Sequence, residues 1–350
     1  MIYIFIENKK VKCYNSKRGD VMKKRIEYID IAKGILILFV IFGHLYKINL
    51  INFQEVRNLV PIYYDIREWI YTFHIPAFFI ITGVLLDSNK ISELSFKQFL
   101  KKKVKSLLIP YIILEMVAAI VQIFVYGTNY ITFKSAIYSL ITLKNPTVVN
   151  WFLLALFFSE LLFWFCIKIK KQICLIGVII VNLIVTYLFS DLGYYMNFIC
   201  RILVGTSFII IGNLIKRNNI EYGNKQILIC STIISLISLL WSNNIDLYYC
   251  NIGNPILYII ASVSGSLLIL SISKLIDIPI LKYFGRNSLI ILGTHQLIIN
   301  TIARFNNYAL SYTTMICALI IIIILELIII EIIKKLKDIY ENNIKERKAY

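Results

Sequence analysis

The sequence predicts an all-α protein that crosses a membrane about ten times with both termini in the cytoplasm, and three observations carry that expectation. Of its 350 residues, 59% are hydrophobic and only 16% are charged, at a mean hydropathy of +0.74; a soluble globular domain carries about a quarter charged residues. Apolar runs of about twenty residues, the length that crosses roughly 30 Å of hydrocarbon, recur along nearly the whole chain. Basic residues gather in every second connection, which marks those connections as cytoplasmic.

Taken in order, the apolar runs place spans at 30–49, 69–86, 106–126, 149–167, 172–190, 197–215, 226–242, 255–273, 287–304 and 313–334. Lys23, Lys24 and Arg25 precede the first span, Lys97 and Lys101 to Lys105 follow the second, and Lys168, Lys170 and Lys171 follow the fourth. Lys216 and Arg217 follow the sixth, Lys274 and Lys282 the eighth, and Lys334, Lys335 and Lys337 the tenth, while 191–196 and 243–254 carry no Lys or Arg. The net charge of +17 is therefore a topology signal in contact with membrane lipid, and no nucleic-acid partner is expected. Residues 1–24 read as an extension, disordered or preceding a true start at Met22. Residues 25–335 form the membrane domain, with a short interfacial or re-entrant helix within 127–148, and 336–350 form a charged cytoplasmic tail. Seven cysteines without paired spacing indicate neither a disulfide scaffold nor a metal motif. No nucleotide-binding loop, zinc signature or nucleophile elbow appears, which argues against an ATP-driven pump.

Ionisable residues inside such spans are functional suspects. The first span, RIEYIDIAKGILILFVIFGHLY, opens with Asp30 and Lys33 and closes with His44. Lys33 and His44 are eleven positions apart, nearly on one helix face and separated by roughly 16 Å of axis; Asp30, one turn before Lys33, is a ready partner for it. All three histidines, His44, His74 and His295, fall inside spans, with His44 and His74 towards the outer leaflet and His295 near mid-depth. A neutral imidazole suits removal of a proton from a hydroxyl; the alternative for each histidine is a helix-packing hydrogen bond. Lys101, Lys102, Lys103 and Lys105 at a helix start are lipid-headgroup anchors or a dock for a phosphate-rich cytoplasmic cosubstrate. Glu115, Glu160, Arg201 and Glu326 also fall within spans. They pair with one another or with lysines, or they line a polar interior.

YIDIAKGILILFVIFGH, FHIPAFFIITGVLL, FLKKKVKSLLIPY, WFLLALFFSELLF and YFGRNSLIILGTHQLI resemble, in that order, the motifs of the acyltransferase 3 family, membrane O-acyltransferases of the fucose O-acetylase type. The likeness covers roughly residues 25–335. It implies transfer of an acyl group, usually acetyl from cytoplasmic acetyl-CoA, to a hydroxyl of an extracytoplasmic or lipid-linked carbohydrate at the cell membrane. The family's basic residue, ten positions, then histidine falls on Lys33 and His44, where the family more often has Arg. Its Arg-x-x-Arg falls on Lys103 and Ser106, with Lys102 and Lys105 beside them. Lys33, Lys102, Lys103 and Lys105 are accordingly expected at the donor. His44 is expected as general base or acyl carrier with His74 orienting it or the acceptor, and Arg201, Glu115, Glu160 and His295 are expected at the acceptor. No metal is expected. A transporter or flippase of a lipid-linked saccharide is the rival of a different class.

Overall fold

A computed structural model describes residues 26–49, 53–127 and 150–349, with 134, 137 and 138 of the stretch between. The extension at 1–24 falls outside the described residues, and so, apart from those three positions, does the short helix expected within 127–148. The described chain is helical throughout, and its pairing of extended backbone is confined to one bridge between Asp246 and Asn251.

Helix α1 (Glu27–His44) carries Glu27 and Asp30 in its first turn, where acidic groups complement the helix dipole, and tightens into a 3₁₀ turn over Leu45–Asn49. Next come α2 (Phe53–Leu59), α3 (Pro61–Tyr71), α4 (His74–Leu85), α5 (Ser88–Ser92) and α6 (Phe96–Lys103). Pro61 opens α3, a position where its missing N–H costs nothing. Ser95 and Gln98 close a reciprocal capping box on α6. A π turn over Val104–Leu108 leads into α7 (Ile109–Tyr126). Helices α8 (Trp151–Cys166), α9 (Gln172–Phe189), α10 (Tyr194–Arg217) and α11 (Lys225–Ile237) follow, then α12 (Pro255–Leu275), α13 (Pro279–Arg286), α14 (Ser288–Phe305) and α15 (Tyr312–Ala349).

All ten predicted spans fall on helix, and seven segments are long and apolar enough to cross a membrane: Glu27–Asn49, Pro61–Leu85, Phe96–Val125, Gln172–Phe189, Tyr194–Arg217, Pro255–Leu275 and Tyr312–Asn342. Trp151–Cys166 and Lys225–Trp241 are apolar but shorter. The second segment starts eight residues before its predicted position. It includes α3, whose Asp65, Arg67 and Glu68 make the stretch read as a polar loop.

The helices divide into a core and a periphery. In the most apolar eighteen-residue stretch of each, 72% of residues are buried in Pro61–Leu85, against 28% in Gln172–Phe189 and 22% in Tyr312–Asn342, with exposed Ile180, Ile184, Ile320 and Ile324 turned outwards. In hydrocarbon such apolar faces belong against lipid. At the core, two backbone-to-backbone approaches hold α1 and α4 in place. A Cβ on Gly34 or Gly285 would collide with the backbone of Leu281 or Asp30, and one on Gly83 or Gly212 with that of Ile209 or Ile80. Only glycine lets α13 lie on α1 and α10 on α4 so closely.

Candidate active site

The site is built on the end of α1. The last carbonyls of a helix have no partner within it, and here three side chains of α3 supply them. Tyr63 donates its hydroxyl to Phe42 O at 2.9 Å, while Arg67 Nε and the Tyr71 hydroxyl donate to Gly43 O at 3.2 and 3.3 Å. The Arg67 guanidinium lies over the Tyr71 ring, 3.5 Å from its centroid, and its Nη1 meets Glu68 Oε1 at 2.7 Å. A cation at a helix C-terminus is also favoured by the dipole. The other Glu68 oxygen accepts from the Asn244 amide, which ties the loop after α11 to the same place. His44 is thus held in position by a buried network that runs from α1 through α3 to that loop.

The three histidines converge. His44 and His74 line one cavity of about 160 Å³, and His295 stacks on His44, with ring centroids 5.6 Å apart and planes inclined by 26°. His74 Nδ1 lies 2.9 Å from Ile70 O, and His295 Nδ1 lies 2.7 Å from Ile291 O. A carbonyl only accepts, so in both rings Nδ1 carries the proton and Nε2 presents its lone pair. The buried Nε2 of His295 and Nδ1 of His44 have no hydrogen-bond partner among the described residues. The cavity wall also includes Tyr46, Lys47, Arg67, Tyr71, Trp151 and the loop residues Asp246 to Tyr249, with Val40, Ile75, Phe152 and Leu292 on its apolar side. Lys47 Nζ reaches Gln296 Oε1 at 3.4 Å. Asp246 accepts from the Tyr248 amide at 2.9 Å. Burial pushes its carboxyl above the usual aspartate range, against the opposing pull of Arg67.

A second cavity, of about 200 Å³, lies along α1 towards its start. Its wall is apolar except for Lys33, Thr82 and Ser288, and it includes Leu107 from the π turn. A π turn widens the helix locally and recurs at functional sites. Lys33 and His44 therefore line two neighbouring cavities along one helix.

The other expected residues fall elsewhere. Lys103 is ion-paired with Glu160 of α8, which is 3% exposed, so these two residues meet each other and line neither cavity. Lys102 and Lys105 are exposed at the end of α6 and in the π turn. Glu115 is buried on α7, outside both cavities. Arg201, 1% exposed, stands one layer behind the histidine cavity. It packs under Tyr248 and Trp151, at 4.4 and 5.3 Å from their ring centroids, and backs the aromatic wall that those rings present. Asp30 accepts from Arg286 Nε at 3.2 Å, and Thr294 holds the buried Glu326 carboxylate at 2.8 and 2.9 Å. No group of three or more metal-ligating side chains occurs among the described residues.

Arg67, Lys47 and Asp246 belong to the site; Arg67 and Asp246 lie outside the predicted spans, and Lys47 lies just inside the end of the first, where a lysine reads as a boundary residue.

The acyltransferase domain model of the Acyl_transf_3 family matches residues 26–331. Nodulation protein NolL of Mesorhizobium japonicum is 38% identical over 81 residues, a match that spans 23% of this chain and 20% of that protein. No solved structure matches. The family match takes in every element that forms the two cavities, and the chain belongs to the acyltransferase 3 family, as a multi-pass membrane acyltransferase.

Proposed function

We propose that the protein transfers an acetyl group from acetyl-CoA at the cytoplasmic face of the cell membrane to a hydroxyl of an extracytoplasmic or lipid-linked carbohydrate. The observation that carries this reading is the pair of cavities on α1, with a single cation in one and the histidines in the other. Ten spans with both termini in the cytoplasm put Lys33 towards the cytoplasm and His44 towards the outside, as the alternation of basic loops requires. Lys33 meets a phosphate of the donor, and the apolar wall above it accepts the pantetheine arm. Lys102 and Lys105, exposed beside this end, attract the same polyanion at longer range.

In the histidine cavity, His44 as neutral imidazole takes the proton of the acceptor hydroxyl. The hydroxyl oxygen bonds to the thioester carbonyl carbon, the C–S bond breaks, and the proton passes from His44 to the departing thiolate, so that ester and free thiol balance the step. Stacking on His295 and the clamp of Arg67 on Gly43 O keep the imidazole of His44 in one orientation, and such pre-organisation is what lowers the barrier. His74, its Nδ1 proton directed to Ile70 O, offers Nε2 to the acceptor. Tyr71, Trp151, Tyr248 and Tyr249 with Asp246 supply ring faces and hydrogen-bonding groups suited to a sugar.

The test is release of O-acetyl from envelope polysaccharide by mild alkali, in a deletion strain complemented with wild type or His44→Ala. Loss of acetate in the deletion, restored by wild type alone, is expected. Unchanged acetate in the deletion, with saccharide accumulating inside the cell, contradicts the reading and favours saccharide transport.

A further inference from the structure

The two cavities on α1 share four wall residues, Val40, Ile75, Phe152 and Leu292. Each adjoins a ring of the histidine cavity or its stacked partner. Val40 is one turn before His44, Ile75 follows His74, Phe152 follows Trp151, and Leu292 is one turn before His295. Val40, Phe152 and Leu292 are 3%, 6% and 7% exposed, so the four form a packed apolar septum between the Lys33 and His44 cavities. Phe152 is the bulkiest of them and is locked from the side by Phe79 and Phe78, at ring-centroid distances of 5.1 and 5.7 Å. Aromatic contacts of this kind fix a ring rather than let it swing.

The space beyond the septum is small. The histidine cavity measures about 160 Å³, close to the ~150 Å³ of an apolar cavity that holds one benzene. It has to take both the acceptor hydroxyl and whatever carbon chain the thioester carbonyl carries. Apart from Leu247, the rest of its wall is charged or hydrogen-bonding, and a longer alkyl chain there would displace polar contacts without replacing them. Below the septum, the Lys33 cavity already has to hold the arm of the donor.

We infer that the septum sets the length of the acyl group, with Phe152 as its specificity-determining residue. Acyl groups on the order of two or three carbons fit beside His44, and longer ones are refused. This rests on the transferase reading above and adds to it the residue that limits the acyl chain. A pocket that rejects one extra methylene discriminates by roughly 10- to 200-fold, so the limit is expected to be sharp.

Inverted membrane vesicles of the native strain, which hold the acceptor, are given labelled acetyl-, butyryl- or hexanoyl-CoA, and base-labile label retained by the vesicles is counted. Wild type is expected to favour acetyl over hexanoyl by about 100-fold or more. Phe152→Ala is expected to narrow that ratio by about tenfold or more, and Phe152→Leu, the gentler change should the alanine variant not accumulate, by a smaller factor. An unchanged ratio in whichever variants reach normal abundance, with acetyl transfer intact, overturns the septum and leaves the transferase standing. Absence of transfer from every acyl-CoA in wild-type vesicles overturns both.

Discussion

The two cavities on α1 are alike in size, about 160 and 200 Å³, and opposite in character. Apart from the four apolar residues it shares with its neighbour and Leu247, the histidine cavity is walled by polar and charged groups, several of them held by hydrogen bonds. The Lys33 cavity is walled by apolar side chains around a single cation, which suits a flexible arm and demands little of any one residue. The contrast separates two jobs: substitutions in the first are expected to lower the rate of the chemical step, and substitutions in the second to weaken capture of the donor.

The largest effect that would sharpen this comparison is on His44. Its change to Ala is expected to lower turnover by about 10²- to 10⁴-fold at normal abundance, the usual worth of a general base, measured as initial rates in vesicles at saturating acetyl-CoA. Arg67→Ala comes next. It leaves Glu68 as a buried charge without its partner and frees the end of α1, which is expected to cost about 3–5 kcal/mol, read as a fall in the unfolding temperature of the detergent-purified protein. Arg67→Ala and Glu68→Gln together are expected to cost less than the sum of the two changes made separately, because they share one interaction.

Lys33→Ala is expected to raise the KM for acetyl-CoA about tenfold while kcat changes little, the loss of one charge-assisted hydrogen bond. Lys102→Ala, at an exposed position outside both cavities, is expected to stay within about twofold in both constants at physiological salt. An equal loss of kcat in Lys33→Ala would break the division of labour between the cavities. The smallest effect concerns Asp246. Burial raises its carboxyl pKa in the folded protein, so its stabilising contribution is complete below the ordinary aspartate range and fades as pH rises through the raised value. Asp246→Asn is expected to flatten that part of the stability profile, measured as unfolding temperature between about pH 3 and pH 7.

The positions of the helices were legible because a membrane span announces itself by length and hydropathy alone. Where α3 begins was not. The most apolar stretch of Pro61–Leu85 has the lowest mean hydropathy of the seven long segments, 1.3 against 3.2 for Tyr312–Asn342, and Asp65, Arg67 and Glu68 make its start read as a polar loop. Arg67 within that cluster is the functional signal, because with Tyr63 and Tyr71 it clamps the end of α1. The histidines stood out as ionisable residues inside spans, but the stacking of His44 on His295 depends on how α1 packs beside α14, which no local pattern encodes. Lys103 and Glu160 were both conspicuous in the sequence, and their mutual pairing follows only from the docking of α6 on α8. In each case chemistry-bearing residues could be picked out one by one, and their partners came from tertiary packing.

Acyl groups are proposed to pass from a donor on the Lys33 side to an acceptor reached from the His44 side. The most direct measurement supplies labelled acetyl-CoA to inverted and to right-side-out vesicles containing wild type or His44→Gln, and counts base-labile label. Transfer by wild type in inverted vesicles only, abolished by His44→Gln, is the expected result. Equal transfer from both faces, or full transfer by His44→Gln at normal abundance, would contradict it.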